Sequence, residues 1–331
     1  MQSMFLNGLL QHQPAAINTL AEALNQRRPR PVRTSSVGAA ASLDFNDPYD
    51  NLYAFGKIWA GYDAPQIGAF HGLMYARIGD NRLLPLFGYT GTGIMHSKID
   101  DDGNMWIRGK ETGYFTDLAT GDILETWDNP WTGETVEVFN FYNPNMGGKL
   151  TAQMPRFAMG AAKDDATLMN DGTHVDQSGM VPFILPFEEF GDDLLLAWDY
   201  AHEYTNPVTK EKWPQACTGE RISPSEHFNF YMSLAQMMDR SEASVRYTAG
   251  FSRLGQWWPW MRMGEHEHKD EVLFGRMFSH KGLTGFGDVP PKVLAYIEKH
   301  APEYLEVPDH WPEVTPKGTW EAFAEEVPPE V

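Results

Sequence analysis

From Leu43 to about Trp260 the chain is cut into short runs of alternating apolar and polar residues, each closed by Gly, Asp, Asn or Pro. A period of two sends successive side chains to opposite faces of a strand, and residues that tolerate positive φ between the runs favour tight antiparallel connections. Gly79-Asp80-Asn81 and Asp101-Asp102-Gly103-Asn104 are turns of this chemistry. The runs 67–78, 83–96, 105–115, 134–142, 193–204, 227–235 and 244–254 read as strands with no regular helix between consecutive ones. That pattern excludes a doubly wound parallel sheet and leaves a sandwich or a barrel. Long aromatic strands with open edges aggregate, and closure removes the edge. The expectation is therefore a mainly β fold: an antiparallel β-barrel of lipocalin or calycin type, with a short N-terminal helical segment and a C-terminal helix.

The flanks differ from this core. Residues 1–42 carry a helical stripe of Ile17, Leu20, Ala21 and Leu24, then a basic stretch from Arg27 to Arg33, and read as a helix and linker. Arg27-Arg28 also resembles the start of an export signal, but prolines and a threonine interrupt the apolar region of about 7–15 residues that such a signal needs. A cytoplasmic location is expected. Residues 43–312 form a single barrel domain with an insertion or lid at about 143–191, where Asn143-Pro144 and Gly147-Gly148 break the rhythm. Lys292, Val293, Leu294, Tyr296 and Ile297 mark a short helix, and 313–331 is a Pro- and Glu-rich tail expected to wrap the surface or fray.

Several chemistries are poorly supported. A formal charge of −19 over 331 residues repels nucleic acid and anionic membrane surfaces. The single cysteine, Cys217, closes no intramolecular disulfide and is not visibly supplied with a base. Gly88, Gly91 and Gly93 lack the following helix that a phosphate loop requires, and read instead as glycines that bend a strand. His266-Glu267-His268 places two imidazoles on one side of a strand, but no third ligand follows at a suitable spacing, and a charged hairpin accounts for it better. No cofactor and no metal are expected.

Strand parity picks out polar residues on apolar faces. In 105–115, Met105, Ile107, Glu111 and Phe115 share a side, opposite Arg108, Lys110, Thr112 and Tyr114. In 193–204, His202 falls with Leu194, Leu196, Trp198 and Tyr200. In 67–78, His71 aligns with Ile67, Ala69, Leu73 and Tyr75. Desolvation raises a carboxyl pKa and lowers an imidazole pKa, so such groups become proton carriers. Each alone is also explained as a core polar group bonded to backbone or to an arginine. A second cluster, Trp257, Trp258, Trp260 and Arg262, suits an aromatic or carboxylated ligand, with Trp127 as a further wall, or else a packing plug with Arg262 paired to an acid.

Arg108 to Gly121, Leu124 to Val138 and Trp257 to Gly264, with Pro302-Glu303-Tyr304-Leu305 and Pro308 to Trp311 in order, resemble the bacterial and fungal family called domain of unknown function 1838, over roughly residues 43–312. That resemblance implies no activity. It makes Arg108, Glu111, Tyr114, Glu125, Trp127, Trp257, Trp260 and Arg262 features of a family rather than local accidents.

The functional expectation is a cofactor-independent enzyme acting on a hydrophobic or aromatic small molecule, or a carboxylate of that kind, by acid and base catalysis, as in decarboxylation, dehydration or isomerisation. Glu111 is the acid or base, His202 its partner, and Tyr114 or His71 a hydrogen-bond donor; Tyr114 joins Glu111 only if a bulge at Gly109 or Gly113 shifts the register. Arg262 anchors the ligand, with Trp257, Trp260, Trp127, Trp198 and Tyr200 around it. The alternative is a lipocalin-like carrier that binds an apolar molecule without changing it. A third reading, an assembly module, needs Trp257 and Trp260 exposed. Open strand edges or the N-terminal helix provide for a homodimer.

Overall fold

The alternating runs pair into one ten-stranded sheet in which every ladder is antiparallel. The computed structural model describes residues 42–79, 82–155, 166–168, 174–176, 180–201, 204–283, 285–312 and 318–331, all within a unit spanning Ala39–Val331. The helical stripe expected at 17–24 lies outside the described residues. In chain order the sheet strands are β1 (Gln66–Ile78), β2 (Arg82–Ile99), β3 (Met105–Thr116), β4 (Phe141–Asn143), β5 (Gly148–Leu150), β6 (Phe187–Phe190), β7 (Asp193–Ala201), β8 (Ser225–Ser233), β9 (Tyr247–Gly255) and β10 (Val272–Leu283). Across the sheet they run β6-β7-β8-β9-β10-β1-β2-β3-β4, with β5 also paired to β3.

No closed barrel forms among the described residues, which corrects the expectation of closure. The edges are handled differently: the end strands β6 and β4 are only four and three residues long, and a very short edge offers little backbone to a passing chain. Strand β10, absent from the runs read in the sequence, lies in the middle of the sheet between β9 and β1. Gly275, Arg276, Lys281 and Gly282 obscure its alternation. In the stretch 143–191, Gln153–Pro155 pairs with Met180–Pro182 and Ala166–Leu168 pairs with His174–Asp176.

Among the described residues, four α-helices decorate the sheet. Helix α1 (Pro48–Trp59) starts at the N-cap Asp47, whose carboxylate accepts from the amides of Tyr49 and Asp50 at 2.8 and 3.0 Å, with Pro48 in the first turn. Leu52, Phe55 and Ile58 are buried at helical spacing, and the Phe55 and Trp59 rings meet Trp198 of β7 and Phe230 of β8 edge-on. The face that α1 covers is called here the inner face. Lys57 is fully buried and donates to the carbonyls of Gln236, Met237 and Asp239 at 2.7–2.9 Å, at the end of α2 (Leu234–Met238). On the outer face, α3 (Pro291–His300) packs Val293 and Ile297 with Ile67, Ala69, Ile94 and Tyr114. The tail is docked rather than frayed over its described part: α4 (Thr319–Glu326) buries Trp320 and Phe323, the Trp213 indole donates to the Pro328 carbonyl, and Glu330 accepts from the Gln215 amide.

Candidate functional site

Register decides which side chains share the inner face. Gly93 pairs with Glu111, Gly91 with Gly113 and Tyr89 with Phe115 across β2 and β3; Gly68 lies between Gly93 on one side and Lys281 on the other; Tyr247 pairs with Lys281. Glycines along this face make room for long side chains from neighbouring strands. The Tyr89 ring lies over Gly113 and the Phe70 ring over Gly91, where a Cβ would collide with them. A Cβ on Gly68 would meet Lys281 Cγ at 3.5 Å, and one on Gly93 would meet Glu111 Cγ at 3.6 Å. Lys281 thus lies across β1, and its Nζ donates to Met95 Sδ of β2 at 3.4 Å. The Trp59 ring of α1 covers the amine, 5.3 Å from Nζ to the ring centre.

Glu111 is the focus of this arrangement. It interacts electrostatically with Lys281, three strands away, and with Tyr247, four strands away. Those strands stand roughly 14 and 19 Å from β3 in a regular sheet, and the long side chains reach toward one another over Gly68 and Gly93. Glu111 is half-buried as a residue, and its carboxyl lies on the inner face among protein atoms that desolvate it. Burial raises the Glu111 carboxyl to about 7, offset in part by Lys281, and burial lowers the Lys281 ammonium to about 7, offset in part by Glu111. Both tyrosine hydroxyls, Tyr89 and Tyr247, are pushed well up by burial and by the nearby carboxylate. Among the described residues, neither the Glu111 carboxylate nor these two hydroxyls makes a hydrogen bond. Three polar groups thus lie on the inner face without internal partners.

Strand parity placed Glu111 on this face correctly, but not all of its expected companions. The β2–β3 register runs without a shift from Gly88–Thr116 to Ile99–Met105, so no bulge at Gly109 or Gly113 turns Tyr114 inward. Tyr114 is buried on the outer face, edge-on to Tyr142 and Tyr296. His71 also lies on the outer face and is exposed. Its apolar neighbours Ile67 and Ala69 are covered by α3, but the helix does not extend over His71 or Leu73. His202 lies outside the described residues. Trp198 is on the inner face against Phe55; Tyr200 belongs to β7, its side chain outside the described set. Lys281, Tyr89 and Tyr247 were missed. The signal for Lys281 was its parity with Leu273 and Met277, legible only once β10 is read as a strand.

The tryptophan cluster is a plug at one end of the inner face. Trp257 and Trp260 are buried, with 0 and 2% exposure, which removes the reading that needs them on the surface. Trp260 packs on Phe87, Phe115 and Trp127, and Asn129 Nδ2 donates to the Met261 carbonyl at 2.7 Å. Arg262 is no free anchor: at φ 54° it is the one non-glycine residue with positive φ among those described, and its guanidinium is bound to Glu134 and Glu330, both at 3.0 Å. Arg108, read as opposite Glu111, donates to the carbonyls of Pro308 and Asp309 and stacks on Trp311. His266 and His268 lie in turns rather than on a strand, and among the described residues no group of three or more His, Cys, Asp or Glu is placed to hold a metal.

A family model described as "Protein of unknown function (DUF1838)" matches residues 64–327. The chain belongs to this family. The match takes in the whole inner face from β1 to β10, the plug and most of the docked tail. No curated protein matches the chain. Among solved structures, one titled "Asymmetric conductivity of engineered proteins" is similar at 10% identity and a TM-score of 0.19, with 66% of this chain and 99% of that one covered. A mutant porin of Rhodopseudomonas blastica is similar at 8% identity, with the same coverage and TM-score. Likeness at that level carries no argument about fold or activity. No helix among the described residues is long and apolar enough to cross a membrane.

Proposed function

We propose that the inner face between α1 and the tryptophan plug binds a hydrophobic or aromatic small molecule and moves a proton on it, in a cofactor-independent reaction of lyase or isomerase type. The observation that carries this reading is the Glu111 carboxyl on the inner face, without a hydrogen bond among the described residues and raised by burial to about 7, within electrostatic reach of Lys281. A carboxyl titrating near the working pH is efficient both as acid and as base. Lys281 offsets part of the effect of burial on this carboxyl, and the Tyr89 and Tyr247 hydroxyls are available to donate to charge that develops on the ligand. Phe70, Phe228 and Phe251 supply ring surface on the same face.

The test is a panel of aromatic carboxylates and ketones, with binding followed by intrinsic fluorescence and carbon–hydrogen exchange in heavy water followed by NMR. Glu111→Gln should bind comparably and lose exchange or turnover by about 100-fold or more. Equal turnover in this variant would remove Glu111 from the chemistry, and tight binding without turnover in the unaltered protein would favour a carrier. His202→Asn in the same assay tests the imidazole expected from the sequence.

A further inference from the structure

We propose that Lys281 is an amine nucleophile that captures an aldehyde or ketone as an imine on the inner face. The inference rests on the proposed binding site and names its substrate class, a carbonyl compound with an apolar or aromatic body.

Two buried lysines in one molecule show why. Lys57, with 0% exposure, is held by three backbone carbonyls at 2.7–2.9 Å, as a buried ammonium requires. Lys281, with 6% exposure, donates only to the thioether of Met95, a weak acceptor, and has no carboxylate within ion-pair distance among the described residues. Such surroundings suit a neutral amine, whose lone pair is what attacks a carbonyl. Burial acts in the same direction, holding Lys281 far below the usual lysine range. Trp59 covers one side of the amine, and Gly68, without a side chain, leaves room for the Lys281 stem on the inner face.

The chemistry balances without an oxidant or reductant. The Nζ lone pair forms the bond to the carbonyl carbon, and the C=O π pair moves to oxygen, which takes the proton of the Glu111 carboxyl. The nitrogen then returns a proton to the carboxylate. A second transfer from Glu111 lets the hydroxyl leave as water as the C=N bond forms, and the last N–H proton restores the acid. Amine and carbonyl give imine and one water.

Benzaldehyde with sodium cyanoborohydride at neutral pH converts such an imine to a stable benzyl-amine, which peptide mass spectrometry locates on the full-length chain. Lys281 should be labelled ahead of Lys292, whose side chain is 58% exposed. Its labelling rate should level off above about pH 7. Lys281→Arg should lose this label and keep the surface background, and Glu111→Gln should slow it by about 100-fold. Labelling confined to exposed lysines overturns the proposal; the site map of the unaltered protein decides this even if a variant fails to fold. Benzyl alcohol, which cannot form an imine, separates the two claims. If it binds and Lys281 stays unlabelled, only the imine fails; if it does not bind and Lys281 stays unlabelled, the binding site fails as well.

Discussion

The plug around Trp260 and the inner face around Glu111 are built from the same materials, indole and phenyl rings with a few charged groups, and they differ in how the charges are met. In the plug, the guanidinium of Arg262 meets two carboxylates, and the Trp257 indole donates to the His268 carbonyl at 2.9 Å. Around Glu111, among the described residues, a carboxyl and two phenols have no hydrogen-bond partner and an amine donates only to a sulfur. The plug is not free of unmet groups, since the Trp258 and Trp260 indole N–H groups are buried without a partner among the described residues; what sets it apart is that its charged group is paired, and an unpaired ionisable group costs more than an unpaired indole. The difference in how ionisable groups are met separates the two regions more surely than composition does.

The comparison breaks most visibly at Trp260. Trp260→Ala should cost about 3–5 kcal/mol, read as a large fall in the urea midpoint, because the ring packs on Phe87, Phe115 and Trp127. If stability hardly changes, the plug is not the keystone of that end.

The pH dependence of stability sharpens the contrast from the other side. The Glu111 carboxyl rises from 4.5 to about 7 on folding, so the folded chain binds the extra proton between those values. Its stabilising contribution is present below pH 4.5 and is lost as pH climbs to about 7. Lys281 falls from 10.5 to about 7, so its contribution is present above 10.5 and is lost as pH drops to about 7. Together they place a trough near neutrality. Glu111→Gln should flatten its acid side and Lys281→Met its alkaline side in urea titrations across pH; parallel curves would show that the pair does not titrate in this way.

Gly113→Ala tests the glycine that seats Tyr89. A methyl there collides with the phenol, and an overpacking cost of about 1–3 kcal/mol is expected, together with a loss of ligand affinity greater than in Gly79→Ser, far from the site. The smallest effects belong to the plug's ion pairs. A double-mutant cycle on Arg262 and Glu330, whose side chain is 15% exposed, should give about 1 kcal/mol, and that with Glu134, 45% exposed, about 0.3 kcal/mol. A reversed order would mean that solvent exposure does not govern these pairs.

Some of this was legible before any coordinates. Parity in the run 105–115 put Glu111 on the inner face because strand periodicity is local. The pairing of Arg262 with an acid was one of two readings of the cluster, and the run after Pro290 gave its helix from spacing alone. The helix Pro48–Trp59 was passed over although Asp47-Pro48 is a start signal, because Tyr49, Tyr53 and Trp59 read equally as strand residues. His71 went wrong for a different reason: parity names a face but does not say how far a covering helix reaches along it.

Local periodicity and turn chemistry, written in the order of residues, determined that this chain is an antiparallel β protein and which side of β3 carries Glu111. Only the tertiary structure decided that the sheet stays open among the described residues and that a lysine three strands away acts on the carboxyl. Those outcomes depend on strand order and register, which bring into reach residues 170 positions apart, and no alternation within a single run encodes them.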